Sequence, residues 1–157
     1  MRLVRYIVLF SGFASLLWIL LLHFRKESRM LEVEVRDPRL REKCLHWERA
    51  VRARGLDPGA GLGRLRSIGS SPDRRCAGRY LTWTSDILIS DQLFSRGDWS
   101  VRCALYHELG HAVFRLEHAE SGIMSAEIPS EEHLEQNWNK LLTDYLNQCY
   151  DKRWESL

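Results

Sequence analysis

His107-Glu108-Leu109-Gly110-His111-Ala112-Val113-Phe114-Arg115-Leu116-Glu117-His118 is the stretch on which the reading of this chain turns. On an α-helix, residues four apart share a face about one turn from each other, so His107 and His111 can reach a single tetrahedral metal ion. Glu108 sits beside that face rather than on it. Its carboxylate is thereby placed to meet a water activated by the ion instead of the ion itself, which is what general-base hydrolysis asks for. The pattern predicts one catalytic Zn2+ held by His107 and His111, with Glu108 as the proton acceptor.

His118 follows His111 by seven residues. On an unbroken helix it would face the right way but lie about 10.5 Å farther along the axis. It can join the ion only if the helix breaks between Val113 and Glu117 and the chain folds back.

The run from His107 to His118, followed by Gly122-Ile123-Met124, resembles the metzincin clan of zinc metallopeptidases, and the matrixin-like members in particular. The order of parts is similar to that of small exported bacterial metallopeptidases of that clan. The matching parts are a leading helix like Cys44-Leu45-His46-Trp47-Glu48-Arg49-Ala50 through Arg54-Gly55, a cysteine-containing turn like Arg75-Cys76-Ala77-Gly78, and a strand like Ile87-Leu88-Ile89. The likeness covers most of residues 40–150, although only His107 to Met124 is highly specific. It implies His118 as the third zinc ligand, Met124 as a Met-turn residue beneath the metal, and a substrate peptide extended along an edge strand.

Two departures stand against the common pattern. Its third histidine falls six residues after the second, where this chain has Glu117, and its helix-breaking glycine is replaced by Phe114. Two rivals also follow from the sequence. In a gluzincin-like site the helix would continue and Glu131, Glu132 or Glu135 would supply the third ligand. In a non-catalytic zinc-binding envelope domain Glu108 would have no task.

Working outward, Asp37-Pro38 supplies an N-cap and a first helical residue, and Gly55 supplies a stop. Leu65 to Ile68 reads as a short strand, and Tyr80 to Ile89, rich in aromatic and β-branched residues, as a longer one. Asp98 is a candidate cap for the helix carrying His107, and Ser130 for a C-terminal helix with an apolar stripe from Leu134 to Cys149. The expected fold is α+β: a small twisted sheet, the active-site helix, a Met-turn and the C-terminal helix. The expected boundaries are a zinc metallopeptidase domain over residues 38–157 and a linker over 30–37.

Residues 1–29 read as a signal anchor. From Tyr6 to Phe24 there is no Asp, Glu, Lys or Arg in 19 residues, enough for a helix of about 28 Å, close to the thickness of the hydrocarbon core. A cleaved signal peptide is the alternative, but the run ends in His23-Phe24-Arg25-Lys26 and offers no small-residue cleavage site. Cys44, Cys76, Cys103 and Cys149 are even in number and could form two disulfides in an exported domain, or remain core thiols in a cytosolic one. The expectation is a single-pass protein, of a bacterial inner membrane, with its catalytic domain periplasmic or extracellular. The net charge of +2 over 157 residues, with basic and acidic residues interspersed, gives no reason to expect a nucleic-acid partner. The expected partners are a peptide or protein substrate and the membrane.

Overall fold

The computed structural model describes residues 29–155 of the chain. The anchor expected over residues 1–29 therefore lies outside the described residues, save its last. Among the described residues no helix is long and apolar enough to cross a membrane.

The first long helix, α1 (Pro38–Ala53), is bounded as its sequence predicts. The Asp37 carboxylate accepts from the Arg39 backbone N–H at 2.9 Å, Pro38 opens the helix, and Gly55 beyond its end takes φ +81°, a left-handed value that glycine adopts without a Cβ clash. Leu40, Cys44, Trp47 and Val51 recur at helical spacing and are fully buried, so one face of α1 enters the core. A short helix, α2 (Gly59–Leu62), follows.

Four strands form one mixed sheet: β1 (Glu34–Val35), β2 (Ser67–Ser71), β3 (Gly78–Leu81) and β4 (Asp86–Ser90), in spatial order β1-β2-β4-β3. β1 and β4 run parallel to β2, while β3 pairs antiparallel to β4 and forms one edge. Ile68, Ile87 and Ile89 place the sheet's inner face in the core. The sheet is followed by α3 (Asp91–Arg96), α4 (Asp98–Leu109) and α5 (Glu131–Glu155). α4 lies against β3, β4, α1 and α5, and Tyr106 meets Trp138 and Tyr145 of α5 in an aromatic cluster.

The α+β class holds, with three corrections. The single strand expected over Tyr80 to Ile89 is a hairpin of β3 and β4, turning at Thr82 to Ser85, where Ser85 takes φ +58°. Asp86 explains the return. Its buried carboxylate accepts from the Ser67 hydroxyl at 2.6 Å and from the Arg66 guanidinium, tying β4 to β2. The strand expected over Leu65 to Ile68 begins and ends slightly later, as β2. The linker expected over 30–37 belongs to the fold, because Met30 and Val33 are buried and β1 adds to the sheet.

The cysteines bring a fourth correction. All four are free, and burial pushes the thiols of Cys44, Cys103 and Cys149 up to about 12, as expected of inert core residues. The two possible disulfides are not formed.

Candidate metal centre

α4 carries His107 and Glu108 in its last turn, and the chain then changes its winding. Gly110–Phe114 form a π-helical turn, and Arg115 takes a left-handed conformation at φ +57°. The Arg115 and Leu116 N–H groups both return to the Gly110 carbonyl, closing the helix end. A π turn accommodates one residue more than an α turn. That extra residue absorbs the seven-residue interval between His111 and His118, and the left-handed break falls on Arg115 without a glycine.

The fold-back brings the three histidines together. Ring centroids are 4.5 Å apart for His107 and His111, 4.9 Å for His111 and His118, and 5.1 Å for His107 and His118. One ligand atom from each lies within 4.8 Å of the others, close enough to hold a metal ion, and among the described residues no other group of three does so. Glu117 is exposed and faces a separate groove with Gln148 and Asp151. Cys103 is buried outside the triad.

The hydrogen bonds fix the ring orientations. His107 Nδ1 lies 2.8 Å from the Ile123 carbonyl oxygen and His111 Nδ1 lies 2.6 Å from the Leu116 carbonyl oxygen. A carbonyl only accepts, so each Nδ1 donates. A neutral imidazole has one N–H, so both Nε2 atoms present lone pairs. Those two atoms face each other at 2.9 Å. Two acceptors at that separation repel unless a cation lies between them. Burial lowers the His107 pKa from its ordinary value, the hydrogen bond with Ile123 opposes it, and the neighbouring His111 and His118 lower it further. The donor set fits a metal.

The turn from Ala119 to Ser125 holds one of these rings. Its Ala119 N–H donates to the Met124 carbonyl at 2.9 Å, and its Ile123 carbonyl holds His107. Met124 is fully buried. A Cβ on Gly110 would stand 2.8 Å from the Met124 sulfur and 3.1 Å from Tyr145, which explains the glycine inside the histidine motif.

Glu108 is buried against β3. A Cβ on Gly78 would meet its Cγ at 2.9 Å, so only glycine lets the strand pass so close. Burial pushes its carboxyl up to about 7, while a hydrogen bond from the Tyr80 backbone N–H and the charge of Arg79 pull it part of the way back. His107, Glu108, His111 and His118 open onto one cleft of about 950 Å³, with Cys76, Gly78 and Tyr80 on its strand side.

The rival ligands are placed elsewhere. Glu131 reaches the opposite end of α4, where its carboxylate accepts from the Trp99 and Ser100 backbone N–H groups, each at 2.8 Å, and from the Ser100 hydroxyl at 2.6 Å. It, rather than Asp98, caps the helix. Gly97, at φ +150°, makes room, because a Cβ there would lie 2.2 Å from that carboxylate. Glu132 is exposed and accepts from Gln136, and Glu135 is exposed outside the triad. Ser130 caps α5 as expected, its hydroxyl accepting from the His133 N–H at 3.3 Å. Glu131→Ala should cost about 1–2 kcal/mol and lower the urea midpoint, whereas Glu132→Ala should leave it within error. Equal effects of the two would contradict the cap.

No protein-family model, curated protein or solved structure matches the chain.

Proposed function

We propose that this protein is a zinc-dependent endopeptidase of the metzincin type, matrixin-like in its motif. It is anchored through residues 1–29 in a membrane, for which the sequence suggests a bacterial inner membrane. The observation that carries this reading is the pair of facing Nε2 lone pairs on His107 and His111, 2.9 Å apart, beside the buried Glu108. Three imidazole ligands suit zinc and would leave one position open, where the ion would polarise the scissile carbonyl and acidify a water.

The chain's own residues supply the rest. His107, His111 and His118 would hold the ion, two of them oriented by the Ile123 and Leu116 carbonyls. Glu108 takes the proton from the attacking water and passes it to the departing amine. Burial makes its carboxylate a stronger base than an exposed one, which suits it to accept that proton. β3 is an edge strand beside the cleft, so its outer backbone groups can pair with an extended peptide. Met124 packs beneath the histidines as the Met-turn residue.

The test is metal content and peptide cleavage by the full chain in neutral detergent. The expected result is about one zinc per chain, with cleavage of a mixed peptide library lost on chelation and restored by zinc. Bound zinc without cleavage would move the protein to the non-catalytic class, and a folded sample without affinity for zinc would overturn the reading.

A further inference from the structure

The cleft around the histidines has a one-sided charge. Arg64, Arg75, Arg79 and Arg115 line it, and among the described lining residues Glu108 is the only acid. The whole 157-residue chain carries a net charge of just +2, so this concentration is local. Two of the four arginines are engaged. Arg75 bonds the Asp73 carboxylate at 2.9 Å, and Arg79 approaches the same carboxylate at 3.7 Å. Arg64 and Arg115 have no acidic partner among the described residues.

Their positions are specific. Arg115 occupies the left-handed residue that ends the π turn, where glycine or asparagine would sit with less strain. Arg64 follows α2, which is pressed onto that turn so closely that a Cβ on Gly61 would lie 2.7 Å from the Val113 Cα. Arg64 and Arg115 thus line the cleft from two segments packed on each other, and Arg79 lines it from β3. All four are exposed, and like charges gathered around a concave cleft give it a positive potential that attracts anionic ligands and is screened by salt. A flat anionic membrane cannot enter a cleft, whereas an extended peptide can.

We infer that the cleft selects acidic peptides, with Arg64 and Arg115 receiving aspartate or glutamate side chains near the scissile bond. This rests on the endopeptidase reading for what happens to the peptide, but the charge selection can be read by binding alone.

The experiment uses two labelled peptides identical except that one carries Glu where the other carries Gln. Binding to zinc-loaded, full-length Glu108→Gln protein in neutral detergent is followed by anisotropy, alongside cleavage by the native chain. The expected result is about tenfold tighter binding of the Glu peptide at low salt. That preference should shrink toward unity at high salt and in Arg64→Gln/Arg115→Asn, the asparagine being chosen to keep the left-handed turn. Retained zinc in the double variant shows that the fold persists. A Glu preference in binding without any cleavage would leave the selection standing and remove the peptidase. Cleavage with equal handling of both peptides would leave the peptidase standing and overturn the selection. Arginine-dependent capture of anionic phospholipid vesicles, with no preference between the peptides, would overturn it in favour of a membrane surface.

Discussion

Glu108→Gln is expected to lower kcat/KM by about 10²- to 10⁴-fold while the metal stays bound and the metal-free fold becomes more stable at neutral pH. The two effects share one cause. The carboxyl is buried, and its folded-state pKa of about 7 lies above the ordinary 4.5. A raised acid pKa means that folding disfavours the ionised form. The penalty is absent below pH 4.5, grows between the two values and is complete above about 7, where it reaches about 3 kcal/mol in the metal-free protein. Glutamine removes that charge but keeps an acceptor for the Tyr80 N–H. Thermal unfolding of both proteins at pH 5 and pH 8, after chelation, reads the difference. Native and variant should converge at the acid end and separate at the alkaline end. A variant that is active within tenfold, or clearly less stable at pH 8, would refute the assignment. A residue kept for stability would not behave this way.

His118→Ala carries the second large effect. Metal affinity should fall by at least about a hundredfold, since outer supporting groups alone account for tenfold to a hundredfold. The metal-free fold should shift by no more than about 0.5 kcal/mol, because the side chain is exposed and packs into no core. Excess zinc should accordingly raise the melting temperature of the native chain much more than that of the variant. Glu117→Ala should reproduce the native values in both respects. The reverse outcome, with Glu117 decisive and His118 dispensable, would require a helix end other than the π turn followed by Arg115.

How far the sequence discloses these features depends on the range of the interaction. The pair His107 and His111 needs only the helical period, and α1 needs only Asp37-Pro38 and Gly55, so both are legible locally. His118 is legible as a geometrical demand: the chain must break and return. How it breaks is not, because a left-handed arginine after a π turn has no composition signal, whereas glycine would have had one. The cap by Glu131 spans 32 positions and joins two helices, and only Gly97 hinted that something must come close. The β3–β4 turn was hidden because Thr82, Trp83 and Thr84 favour strands in isolation, while the buried Asp86 carboxylate decides where β4 begins. The cysteines misled for a related reason. Even number and wide spacing suit disulfides, yet three of the four are buried as small apolar residues.

The π turn changes what counts as the same motif. In this chain seven residues with a widened turn bring a third imidazole beside the first two, so the interval between the histidines does not by itself decide whether they meet. What decides it is the displacement from the end of one helix to a point beside it. A signature written as letters at fixed intervals measures the string, and this chain differs there by one letter in the count and one in the identity. A signature written as a vector between three ring nitrogens would measure the place where the imidazoles meet.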